Sequence, residues 1–225
     1  MARILSIETS TSVCSVAIHS DGNLIAYQSY HQEKSAATLL PIIIKEMMEN
    51  CSMELKTMDA IAVSAGPGSY TGLRIGASTA KGLAFALNKP LISISSLGAM
   101  VEAIKQFPVG DAYLCPMIDA RRMEVYCQLV AGENEFWDVS PLVVDADSFA
   151  AFTDRPIYLF GDGAAKTKEV LTQENIEWVE NIHPSAKDIG RLAEEKFQAS
   201  DFEDVAYFEP FYLKEFQAKP AKKLL

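Results

Sequence analysis

The chain has 225 residues, 49% of them hydrophobic, enough for one large domain or two small ones around a substantial core. Its 20 Lys and Arg residues are outnumbered by 30 Asp and Glu residues, a net charge of −10. That balance argues against a protein that grips nucleic acid alone, because phosphate binding needs a concentrated basic surface, but leaves open a subunit whose partner holds it. Cys14, Cys51, Cys115 and Cys127 have no CxxC spacing and read as free thiols of a reducing compartment. His19, His31 and His183 are scattered, so no metal site is expected. The N-terminal MARILSIETS turns polar too early for a signal peptide, and no apolar run reaches about 18 residues; a soluble, cytoplasmic protein without a membrane segment is expected.

Residues 2–9 and 12–19 read as strands around a Ser/Thr turn, and Asp21-Gly22 signals a hairpin into a third strand over 23–30. A helix is expected over 35–50, a buried strand over 59–65, a helix over 70–88, a strand over 90–94 and a helix over 96–106. The pattern then restarts. Strands are expected over 112–119, 123–131 and 136–144, a short helix near 146–153, and a strand over 156–160 that runs into Gly161-Asp-Gly163 and another helix. Alternating strands and helices imply an α/β fold. An acid ends the first strand of each half (Glu8, Asp119), and a Gly-x-Gly turn follows a later strand in each (Gly66–Gly68, Gly161–Gly163). The halves therefore read as a loose duplication with shorter or fewer helices in the second.

The stretch from Gly66 to Gly76, GPGSYTGLRIG, is the most distinctive. It misses the Walker pattern, with five residues between Gly66 and Gly72 and no Lys after, and misses GxGxxG by one residue. Its amides remain able to meet an anion at a helix N-terminus, but a tight strand-to-helix turn explains it as well. Gly72, Gly76, Ala80 and Ala84 recur every four residues, a small-residue stripe that lets another helix come close. In the preceding helix Leu39, Leu40, Ile42, Ile43, Ile44, Met47 and Met48 cover about 240° of the circumference. This predicts burial on one side by the chain itself and on the other by a partner.

These residues carry a resemblance. ILSIETS (Ile4–Ser10), Leu39-Leu40-Pro41, GPGSYTGLRIG, Ile118–Arg121 with Glu124-Val125-Tyr126, and Pro210–Leu213 follow one another as in the TsaB (YeaZ) family, along nearly the whole chain. The resemblance implies a duplicated fold of the actin/hexokinase/Hsp70 (ASKHA) type, with subdomains over 1–106 and 107–205 and residues 206–225 packing back on the first. It further implies a non-catalytic subunit of the bacterial machinery that forms N6-threonylcarbamoyladenosine beside the anticodon of tRNAs reading codons that begin with A. The implied partners are a catalytic TsaD-like paralogue, a TsaE-like ATPase joining through the complex, tRNA reached mainly through the complex, and a second copy of the chain when alone. TsaD-like proteins carry a His-x-x-x-His metal pair where this chain has Ser96 and Met100, neither of which replaces a histidine.

The docking surface expected from this is Leu39, Leu40, Ile43 and Met47 on one helix with Gly72, Arg74, Gly76 and Ala80 on the next. Kinases of the superfold hold magnesium through an Asp at the end of the first strand, where this chain has Glu8. Glu8, Thr9, Ser10, Gly161 and Gly163 are therefore vestigial nucleotide-site candidates, with Asp162 set to repel an anion. No tightly bound cofactor is expected, and a nucleotide at a complex interface stays open. Arg121 and Arg122 read either as a charge-paired hairpin turn or as a surface for tRNA or a partner. The alternative functions are an ASKHA-fold small-molecule kinase or ATPase and, more weakly, a peptidase.

Overall fold

The computed structural model describes residues 2–31 and 36–213. Strands β1 (Arg3–Glu8), β2 (Val13–Ser20), β3 (Asn23–His31), β4 (Ala60–Gly66) and β5 (Leu91–Ser95) form one sheet in the order β3-β2-β1-β4-β5. Strands β6 (Tyr113–Asp119), β7 (Glu124–Ala131), β8 (Asn134–Val143), β9 (Ile157–Phe160) and β10 (Ile176–Val179) form a second in the order β10-β9-β6-β7-β8. In each sheet the first three strands pair antiparallel and the first, fourth and fifth parallel. The duplication is therefore complete at the level of strands.

The helices differ between the halves. Helices α1 (Ala36–Asn50) and α2 (Tyr70–Leu87) lie on one face of the first sheet, where Leu40, Ile43, Met47, Ala77 and Ala80 meet Leu5, Ile7, Ile61 and Val63. The helix expected over 146–153 is absent. Its residues form turns, in which the Ser148 hydroxyl and the Asp145 carboxylate bond each other and nearby amides, an alternative to helical bonding. The helix expected after Gly163 is only a five-residue 3-10 turn, Ala165–Glu169. Strand β10 and helix α4 (Ala186–Gln198) are additions to the pattern expected from the sequence.

Helix α3 (Ser96–Ile104) and α4 tie the halves together by exchange. Leu97, Met100 and Ile104 of α3 pack with Leu114, Ile118 and Phe160 of the second sheet, while Ile189 and Ala193 of α4 pack with Ile4, Ala60, Ala62 and Ile92 of the first. The α4 N-terminus is pinned where the Ala186 amide donates to Ser15 Oγ at 3.0 Å. A boundary at residue 205 thus assigns to the second half a helix that packs on the first. The following segment also returns to the first half: Glu203 bridges Leu91, Lys81 Nζ donates to the carbonyls of Ala206 and Phe208, and the Phe211 amide to Ala65 O at 2.7 Å.

Two glycines of α2 separate close packing from open surface. A Cβ on Gly72 would stand 2.0 Å from Thr9 O, whereas one on Gly82 would meet nothing within 4 Å. Gly72→Ala is expected to destabilise by about 2–3 kcal/mol through overpacking against backbone, and Gly82→Ala to stabilise by about 0.5–1 kcal/mol through helix propensity. Urea unfolding of the two variants beside the parent checks both signs.

Candidate functional site

The Gly66–Gly76 turn is filled by the chain's own β1–β2 loop. The Ser69 amide donates to Ser10 O at 2.6 Å, and Thr9 Oγ1 donates to Gly72 O at 2.8 Å. Ser69 caps α2, accepting from the Gly72 amide. Added Cβ atoms on Gly68 and Gly76 would stand 2.2 Å from Ser10 O and 2.3 Å from Thr9 Oγ1. The glycines are needed because the Ser10 backbone and the Thr9 hydroxyl lie directly on them.

This places Glu8, Thr9 and Ser10 in the interior, all essentially without solvent exposure. Register sets Ser15 of β2 opposite Glu8. The pairing of Ile7 with Val63 brings Ser64, the next residue of β4, beside Glu8 on the other side. The Ser10 amide donates to Glu8 Oε1, while Oε2 has no hydrogen-bond partner among the described residues. Burial pushes the Glu8 carboxyl from 4.5 up to about 7, against the lowering effect of the polar groups of Ser10, Ser64 and Thr9 beside it. Glu8, Thr9 and Ser10, three of the vestigial nucleotide-site candidates, therefore face packed protein.

The second half repeats the arrangement with different chemistry. Gly161 and Gly163 close on β6: added Cβ atoms would come within 2.2 Å of Met117 O and 2.9 Å of the Ile118 carbonyl carbon. The Gly163 amide donates to Met117 O, and the Asp119 amide to Asp162 Oδ1 at 2.9 Å. Burial raises the Asp162 carboxyl, with the Asp119 charge adding to the rise. Asp119 itself pairs with Lys166, whose ammonium also donates to Glu124 O at 2.6 Å. Lys166 gives no signal in the sequence, since it lies 47 residues from Asp119. Arg121 and Arg122 stand exposed at the tip of the β6–β7 hairpin, in the left-handed region with φ of 70° and 52°. Ser96 and Met100 are both fully buried, Met100 in the core between α3 and the second sheet. Among the described residues no group of three or more His, Cys, Asp or Glu side chains could hold a metal ion, and no helix is long and apolar enough to cross a membrane.

The helix pair α1–α2 differs from the expected docking surface. Leu40, Ile43, Met47, Gly76 and Ala80 are buried within the chain, Leu39 and Gly72 are half-buried, and only Arg74 is exposed, its guanidinium 5.4 Å over the Tyr70 ring. The four-residue stripe of small residues faces Thr9 and the sheet because both need close approach. The exposed column beside it is Thr71, Arg74, Ser78, Gly82 and Phe85, with Phe85 82% exposed. On α1, Ile42 is 47% exposed. Between the helices runs a groove of about 530 Å³, lined in part by Pro41, Ile44, Met48, Thr79 and Leu83. A second cavity of about 460 Å³ lies at the ends of β4 and β5, lined in part by Gly66, Ser95, Val139 and Phe211. A period-3.6 pattern identifies an apolar helix but does not say which of its columns the sheet takes; Ile42 and Phe85 were missed for that reason.

The neutral folded form of Glu8 makes a pH prediction. The folded chain keeps a proton that the unfolded chain releases above 4.5, so this contribution is fully present below that pH and is lost as pH rises through about 7. The loss amounts to roughly 3 kcal/mol. Glu8→Gln is expected to flatten the fall in stability between these values and to exceed the parent at pH 8, read by urea unfolding across pH.

The family model described as TsaD, tRNA N6-adenosine threonylcarbamoyltransferase, matches residues 29–222. A Haemophilus influenzae tRNA threonylcarbamoyladenosine biosynthesis protein TsaB is 29% identical, over 94% of this chain and 93% of its own length. The solved structure of YeaZ from Pseudomonas aeruginosa superposes with a TM-score of 0.81 at 25% identity, covering 95% of this chain and all of that one. The inorganic polyphosphate/ATP-glucomannokinase of an Arthrobacter strain shares the fold alone, with a TM-score of 0.54 at 11% identity over 88% of this chain and all of the kinase. With its duplicated ASKHA-type fold, its ordered motifs and these likenesses, the chain belongs to the TsaB (YeaZ) family, within the wider family of the tRNA N6-adenosine threonylcarbamoyltransferases.

Proposed function

We propose that this chain is a non-catalytic subunit of the complex that forms N6-threonylcarbamoyladenosine in tRNA, and that it docks a TsaD-like catalytic paralogue through α1 and α2. The observation that carries the reading is a contrast within one subdomain. The Gly66–Gly76 turn, the stretch most like a phosphate loop, is filled by the chain's own Thr9–Ser10 loop, while the adjacent helix pair leaves Ile42, Phe85 and an apolar groove uncovered among the described residues. Exposed apolar area of this kind favours association with another surface. Ser78 and Gly82 keep the exposed column of α2 low, so a partner helix can lie close to it.

Without the paralogue the same face would pair two copies of the chain. The TsaE-like ATPase and the tRNA would join through the assembled complex, in a cytoplasmic setting. The deciding experiment combines this chain with a TsaD-type subunit, the ATPase, the enzyme and substrates that make the threonylcarbamoyl donor, and unmodified tRNA. Modified nucleoside that forms only when this chain is present, and never from this chain alone, is the expected result. Equal yield without it overturns the reading and favours a small-molecule kinase or ATPase, which calorimetry with magnesium–nucleotide would then test.

The docking face makes its own prediction. Ile42→Glu/Phe85→Glu is expected to leave the thermal midpoint close to that of the parent and to weaken both self-association and paralogue binding by about 100-fold. Ile43→Glu is expected to unfold the chain instead, since that side chain is 1% exposed and a lone buried carboxylate there has no partner. Sedimentation and co-purification of the two variants separate surface from core.

A further inference from the structure

The duplication supplies an internal control for the two hairpin tips. In the β1–β2 loop Thr9 and Ser10 are buried under the glycine turn, and the tip beyond them, half-buried Thr11 and exposed Ser12, is neutral. In the equivalent β6–β7 loop no glycine turn lies over Arg121 and Arg122 among the described residues. The turn at Gly161–Gly163 closes on the backbone from Met117 to Asp119 and stops short of the tip, and a five-residue 3-10 turn replaces the long α2. Two arginines occupy the exposed tip, both at positive φ.

That choice of residues works against local stability. Positive φ suits Gly and Asn, and successive branched or long side chains there are strained. The hairpin is nevertheless held firmly from below. Lys166 joins Asp119 to the Glu124 carbonyl, the Arg121 amide donates to Asp119 Oδ1 at 3.1 Å, and the Glu124 amide donates to Arg121 O at 3.2 Å. Lys166 takes up the charge of Asp119, one of the two acids that flank the turn, the other being Glu124. The result is two adjacent guanidiniums on a clamped turn, carried by a chain of net charge −10. Planar guanidinium forks match phosphate oxygens, and an anion approaching so acidic a protein needs such local contacts.

We propose that the Arg121–Arg122 tip contacts the phosphate backbone of tRNA in the assembled complex; this rests on the reading given under Proposed function. The contact is a positioning one: it orients the tRNA on the complex and takes no part in the chemistry. The test uses the reconstituted complex with the full chain and fluorescently labelled unmodified tRNA, with anisotropy followed between about 50 and 200 mM salt. Arg121→Asn/Arg122→Gly removes both charges with residues that accept positive φ, so its thermal midpoint is expected to equal or exceed that of the parent. Its tRNA affinity is expected to fall about tenfold at the low-salt end, with the slope of log K against log salt reduced by about 2. Arg121→Lys/Arg122→Lys is expected to keep the slope and lose part of the affinity.

Unchanged affinity and slope in the Asn/Gly variant would overturn the proposal. So would loss of co-purification with the protein subunits at an unchanged salt slope, which would make the tip a protein contact. If tRNA modification requires this chain while the variant binds tRNA as the parent does, only the tip assignment falls. If modification proceeds equally without the chain, the functional reading falls and takes the tip assignment with it.

Discussion

The contact between the Thr9–Ser10 backbone and the glycine-lined face of α2 determines much of the rest of the first half. Five backbone and side-chain atoms of Thr9 and Ser10 occupy the space that Cβ atoms would need on Gly68, Gly72 and Gly76. Such closeness lets the end of β1 and the start of α2 lock by direct hydrogen bonds, from Ser69 N to Ser10 O and from Thr9 Oγ1 to Gly72 O. With that lock in place, the glycine column of α2 turns inward, the adjacent column from Thr71 to Phe85 turns outward, and Glu8 is sealed in the sheet. A turn that resembles a phosphate loop thus works as a packing device, because its best-placed amide is already spent on a carbonyl of the same chain.

The two halves meet one electrostatic problem in two ways. Each presents a carboxylate at the end of its first strand, Glu8 and Asp119. Glu8 is deprived of water and held neutral up to about pH 7, while Asp119 stays partly exposed and is neutralised by Lys166. Desolvation acts through burial alone, whereas the lysine needs a backbone that delivers it, here the short 3-10 turn that takes the place of a long helix. The same shortening leaves the β6–β7 tip bare. Exchange of α3 and α4 between the sheets then makes each half complete the core of the other.

Much of the fold was legible because the signals were local. Asp21 and Gly22, both at positive φ, mark the first hairpin, and the boundaries of α1, α2 and β4 to β7 fall within a residue or two of their periodic patterns. The helix expected over 146–153 did not form because Asp145 and Ser148 satisfy local amides themselves. The small-residue stripe was visible, but its direction was not. Gly72, Gly76 and Ala80 fit a partner helix and an internal loop equally well on spacing alone, and only the position of Thr9 distinguishes them.

The sequence by itself determined the family motifs, the duplicated α/β plan, the shortened helices of the second half and the acid at each strand end. These depend on residue identity and on separations of a few positions along the chain. Tertiary structure alone decided which column of α2 faces solvent, that Glu8 is buried among Ser10, Ser15 and Ser64, that Lys166 neutralises Asp119, and that α4 covers the opposite sheet. Each of those is a meeting of residues from separate elements, and a burial or a charge pairing of that kind exists only once the elements have packed.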